Sequence, residues 1–262
     1  MYKNVMVAVS LFIFTSPSWG LELSDYRLVD LTHPYNEDTI YWPTSPSRFE
    51  LTELSFGETP GGWFYSAYAV CTPEHGGTHL DAPVHFSASG DPVHAMPLEN
   101  LIAPAILLDI SAKTRVDPNY RLTVEDVLQF EARHGAIESG TIVLLKTGWS
   151  DRWPDAEAYL GDDTPGDVSR LSFPAYGEEA GRLLVEQRGV VLLGIDTASL
   201  DHGGSRDFAV HRIAAARNVG ALENLTGLEG LPSAGFTVFA LPMTIEGGSG
   251  APVRVVALVP RD

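Results

Sequence analysis

Five short runs of apolar and branched residues set the tightest limit on how this chain can fold: Ala105–Ile110, Thr141–Lys146, Val190–Ile195, Phe236–Leu241 and Val253–Val259. Each has the length of a strand. Each is near-continuous rather than alternating, which predicts burial on both faces. Segments of helical spacing lie among them. Thr123–His134 opens on Thr123 as N-cap, carries Asp126 three residues on and stops at Gly135. Pro174–Arg188 has Pro174 in its first turn and stops at Gly189. A third, Phe208–Arg217, precedes Gly220. Strands alternating with helices predict an α/β fold, and 262 residues suit one domain with a substantial core.

Two stretches resist assignment. Ser150–Pro174, rich in Asp, Gly and Pro, reads as a long irregular excursion, and such a loop inside a compact domain is expected to be functional, as a cover over a pocket. Tyr35–Pro73, rich in Pro, Gly and aromatics, carries no pattern that assigns it.

Residues 1–20 differ from the rest. A lysine is followed by the apolar run Val5–Phe14 and then by TSPSWG, with small Ser18 and Gly20 before the expected cut. That order is the order of a secretory signal peptide. The domain proper is then 21–262, and the protein is expected to be periplasmic or secreted, with no membrane association after cleavage. Cys71 is the single cysteine, which excludes an internal disulfide and a sulfur-rich metal site. The formal net charge of −17 disfavours nucleic acid as a partner.

The densest group of ligand-type side chains is His75-Gly-Gly-Thr-His79-Leu-Asp81-Ala-Pro-Val-His85, which holds three of the eight histidines. The glycine pair disfavours a helix. Read as extended backbone, positions 75, 77, 79, 81 and 85 share one face, and Gly77 leaves room for an ion. Two imidazoles and a carboxylate form an open catalytic set for zinc, manganese or iron. His85, two residues beyond Pro83, is read as the general acid/base; a third nitrogen ligand is the alternative. Downstream, His211 and Glu223 would fall on different faces of a continuous helix, but Gly220 ends that helix early and lets them converge. Asp196, after an apolar run, is read either as orienting a metal-bound histidine or as capping a turn. Trp42, Trp63, Phe64 and Phe86 are candidate walls for an aryl group, with core packing as the alternative.

Taken together, His75–His85, Gly194-Ile-Asp-Thr-Ala-Ser199, His211, Glu223-Asn-Leu225 and Gly247-Gly-Ser-Gly-Ala-Pro252 resemble the cyclase family, which includes bacterial kynurenine formamidase and isatin hydrolase. The pattern H-x-G-T-H-x-D-x-P-x-H is met at every fixed position. The resemblance implies a compact α/β domain with a β-barrel-like mixed-sheet core flanked by helices. It implies metal ligation by His75, His79 and Asp81, with a second ion between Asp81, His211 and Glu223, so one or two zinc or manganese ions. It also implies His85 as acid/base, a small aryl formamide or cyclic amide as substrate, and a homodimer or higher oligomer. An exported protein departs from a role in cytoplasmic tryptophan breakdown, which leaves the substrate open. Other classes remain: a secreted metal- and ligand-binding protein without turnover, or an iron oxygenase with a two-histidine, one-carboxylate site. A serine hydrolase is weaker, since the Gly-x-Ser-x-Gly elbow is missing.

Overall fold

The computed structural model describes residues 22–261, so the segment read as a signal peptide lies outside the described residues. Its strands are β1 (Tyr26–Asp30), β2 (Glu50–Glu58), β3 (Phe64–Cys71), β4 (His79–Asp81), β5 (Ile102–Asp109), β6 (Arg121–Leu122), β7 (Ile142–Lys146), β8 (Ala175–Tyr176), β9 (Leu192–Ile195), β10 (Gly220–Glu223), β11 (Phe236–Pro242) and β12 (Gly250–Pro260). The five apolar runs become five neighbouring strands, in the order β12-β11-β5-β7-β9. β10 and β4 extend this order, and β4 pairs back onto β12, closing a seven-stranded barrel; β1 adds to β12 outside the ring. β5, β7, β9 and β10 run parallel to one another, and the other contacts are antiparallel.

Closure explains the apolar runs. Alternate residues such as Leu107, Leu144, Leu192, Leu222 and Val238 fill the barrel interior. Their neighbours Leu108, Val143, Leu145, Leu193 and Ile195 face outward, under the helices. Each such leucine contributes about 2 kcal/mol by leaving water.

Helix Val124–His134 forms as the sequence predicts. Thr123 and Asp126 make a reciprocal capping box, and Gly135 ends the helix at φ 93°. The second helix starts later than expected. Ala175–Tyr176 is drawn into a short parallel pairing with β6, so the helix runs from Glu178 to Arg182 and continues as a π-turn over Leu183–Gln187. The third covers Ala209–Ala215.

The excursion after Ser150 is not a cover over a pocket. Helix Ala156–Leu160 and its flanks build a small core of their own from Ile40, Trp149, Tyr159, Leu160, Leu171 and Phe173. The unassigned N-terminal stretch contains the β2–β3 hairpin, a separate two-stranded sheet. Trp63 and Phe64 lie on it, 63% and 59% exposed, and do not reach the central cavity. Their reading as pocket walls is corrected accordingly: the hairpin packs into no described core of this chain, so its aromatic residues lie on the chain's surface, away from the cavity. No helix among the described residues is long and apolar enough to cross a membrane.

Candidate metal centre

β4 is the strand that closes the barrel, and it carries the site. Leu80 points into the core, which turns His79 and Asp81 to the outer face. β10 pairs with it so that Glu223 lies directly opposite His79. Helix Ala209–Ala215 precedes β10 and delivers His211, whose Nε2 lies 3.0 Å from Glu223 Oε1 and 3.3 Å from Asp81 Oδ2. The sequence left this convergence open.

His75 and His85 arrive differently from the extended reading. The chain turns at Gly76 and Gly77 before β4 begins, and His85 ends a 3-10 turn opened by Pro83. The glycines do not make room for an ion. A Cβ on Gly77, at φ +58°, would lie 2.6 Å from the Tyr35 ring, and one on Gly76 would lie 2.0 Å from Tyr41. Close packing of two tyrosines against the loop is what requires them.

Two overlapping triads result, His75–His79–Asp81 and Asp81–His211–Glu223, each with its donor atoms within 4.8 Å of one another. Asp81 is common to both. His75 Nδ1 lies 2.6 Å from Asp81 Oδ1, and His79 Nε2 lies 3.1 Å from the same oxygen.

Each histidine is held on its outward nitrogen. His75 Nε2 donates to Ser249 Oγ at 2.9 Å, and Ser249 donates in turn to Glu74 at 2.6 Å. His79 Nδ1 donates to the Gly77 carbonyl at 3.0 Å. His211 Nδ1 donates to Asp201 at 2.7 Å. Protons on those outward nitrogens leave three lone pairs facing two buried carboxylates, a set balanced only by cations. A divalent ion fits it. With protons alone, burial lowers the His79 pKa, but Asp81 outweighs it and lifts the group to about 9. His211 is likewise raised, its bonds to Asp201, Asp81 and Glu223 overcoming burial.

His85 stacks on His75 with ring centroids 3.9 Å apart, and burial lowers its pKa to about 4. It lines the same cavity of about 200 Å³, as do Trp42 and Phe86. Sequence reasoning missed Tyr41 and Phe208, which add two more aromatic walls, Phe208 from a left-handed backbone at φ 49°.

Asp196 does not orient a histidine. It sits just past β9, where its carboxylate accepts from Thr147 N and Oγ1, Gly148 N and Trp149 N, and so caps the turn after β7. The carboxylate that does touch a ligand histidine is Asp201. It also takes the amides of Val210 and His211 and thereby caps that helix from ten residues away, too far for a local capping pattern to reveal.

Comparison with known proteins follows the same lines. The cyclase family model matches residues 29–202. The isatin hydrolase of Roseibium aggregatum is 31% identical over 222 residues, 82% of each chain. The kynurenine formamidase of Salinibacter ruber is 31% identical over 231 residues, 87% of this chain and 96% of that one. An isatin hydrolase bound to the product analogue thioisatinate superposes with a TM-score of 0.83 at 28% identity, covering 91% of this chain and 94% of that one. Isatin hydrolase A from Ralstonia solanacearum gives 0.82 at 32% identity, covering 97% and 100%. The chain belongs to the cyclase family.

Proposed function

We propose that this chain is a metal-dependent hydrolase that cleaves the C–N bond of a small aryl amide, with an aryl formamide as the substrate. The observation that carries the reading is the convergence of His75, His79, Asp81, His211 and Glu223 at a cavity with aromatic walls. One or two zinc or manganese ions suit these nitrogen and oxygen donors, with Asp81 shared if there are two. Such an ion supplies a polarised carbonyl and lowers the pKa of water from about 15.7 toward about 7.

The remaining steps belong to the chain. Trp42, Phe86 and Phe208 hold the aryl ring and exclude water around it. His85, neutral at pH 7, takes the proton of the attacking water and passes it to the leaving nitrogen. Asp201, Ser249 and the Gly77 carbonyl fix the ligand imidazoles.

A second reading is the opening of a cyclic amide. The likeness to an isatin hydrolase bound to thioisatinate favours it. Metal-loaded protein should be given N-formylkynurenine and isatin side by side. Faster hydrolysis of the formamide supports the first reading and faster opening of isatin the second; turnover of neither removes both substrates.

The signal-like residues 1–20 support export to the periplasm or medium. The exposed apolar side chains of the β2–β3 hairpin, among them Leu54, Phe56, Trp63 and Phe64, support a homodimer or higher oligomer in which a second copy covers them.

A further inference from the structure

The excursion Ser150–Pro174 has no part in the steps above, and one of its residues leads to the metal loop. Tyr159, in helix Ala156–Leu160, is fully buried, and its backbone carbonyl accepts the indole N–H of Trp149 at 2.7 Å. Its hydroxyl lies 3.0 Å from Asn224 Oδ1 and 3.1 Å from the Asp196 carbonyl. The Gly77 carbonyl can only accept, so the amide end beside it is nitrogen, the other end is oxygen, and the hydroxyl donates toward that oxygen and the Asp196 carbonyl. The amide nitrogen then donates to the Gly77 carbonyl at 2.7 Å. That carbonyl is the acceptor that holds His79 Nδ1.

Asn224 also sits where few other residues fit. It follows Glu223 with φ 54°, in the left-handed region that Asn tolerates better than most side chains. The turn lets Glu223 face the metal site while the next side chain reaches across to the loop before β4. The Asn224 backbone is tied on both sides, its carbonyl accepting from Thr78 Oγ1 at 2.6 Å and its N–H donating to the Thr197 carbonyl at 2.9 Å.

We infer that Asn224 is a positioning residue for the metal ligand His79, acting through the Gly77 carbonyl, with its amide oxygen held by the Tyr159 hydroxyl. The excursion thereby serves as a brace for the metal loop. This rests on the metal-centre reading above. An aspartate at position 224 keeps the shape but turns an acceptor toward the Gly77 carbonyl, which pushes that carbonyl away and releases His79. Loss of the Tyr159 hydroxyl leaves the amide oxygen without its donor and the side chain held only through its nitrogen.

The test is a calorimetric titration of metal-stripped full-length protein with Mn2+ and with Zn2+, paired with melting curves. Asn224→Asp should weaken binding at least tenfold, the range seen when groups that orient metal ligands are lost. Tyr159→Phe should weaken it several-fold. The double variant should lose no more than Asn224→Asp alone, because the hydroxyl acts through the amide. A purely structural role would lower the melting temperature and leave the affinity of the folded protein unchanged. Folded Asn224→Asp binding within twofold of wild type overturns the inference, as does a double variant whose losses multiply. If Asn224→Asp does not fold, Tyr159→Phe decides, and affinity within twofold of wild type overturns it. Wild-type protein that binds neither ion overturns the metal reading itself.

Discussion

At the scale of single residues, the proposed roles separate ligation from proton transfer. His75, His79 and His211 are each gripped at the outward nitrogen, so their inward nitrogens are committed to the centre. His85 stacks on His75 and has no such grip among the described hydrogen bonds; burial holds it neutral at pH 7. His85→Ala should therefore leave metal affinity within a few-fold of wild type while lowering kcat by about 100-fold or more. Metal titration and initial rates on the same preparation check this. A large loss of metal affinity in His85→Ala would instead make His85 a ligand.

At the scale of elements, β4 is three residues long yet bonds to strands on both sides, and it places the site where the barrel closes. The β2–β3 hairpin stands apart, and a two-stranded sheet is marginal by itself in water. Replacing Phe56 and Trp63 with lysine should shift the solution mass by light scattering toward the monomer. An unchanged mass in the variant, or a monomeric wild type, would contradict the hairpin's role. A different pairing joins the N-terminal segment to the excursion. His33 stacks on Trp153 at 4.2 Å, its Nε2 is buried without a hydrogen-bond partner among the described residues, and burial lowers its pKa from 6.5 to about 4. The unfolded chain takes up that proton near pH 6.5 and the folded chain only near pH 4. The stability His33 contributes is thus full above pH 6.5 and is lost as pH falls toward 4. His33→Phe keeps the stack and should show a shallower fall of Tm between these values by calorimetry; equal slopes would contradict the assignment.

The same elements show what was legible in the sequence. The five apolar runs and the Thr123 capping box are local signals, and the structure keeps them. Barrel closure was not local. It rests on β4 pairing with β10 and β12, more than a hundred residues away, and only the family resemblance anticipated it. The spacing of His75, His79 and Asp81 announced a ligand set, but strand parity misplaced His75, because close approach by Tyr35 and Tyr41 bends the loop at its glycines. Asp201 had no local signal, and Ser249 and Asn224 stood in family motifs without a role, since their contacts to His211, His75 and the Gly77 carbonyl are set by the tertiary fold.

At the scale of the whole molecule, a closed apolar barrel presents one strand's outer face as a rigid platform. Five ligand-type side chains from β4, the loop before it, β10 and the preceding helix meet there. The cavity above them, about 200 Å³, is lined by these side chains together with Trp42, His85, Phe86 and Phe208. If these residues hold the catalytic ion, hydrolysis requires that ion. The direct measurement follows N-formylkynurenine and isatin hydrolysis by chelator-stripped protein as Mn2+ or Zn2+ is added back, with His79→Ala alongside. The stripped protein should show no turnover, wild type should recover to a level that saturates with bound metal, and the variant should not recover. Full activity in the stripped protein, or equal recovery in His79→Ala, would contradict it.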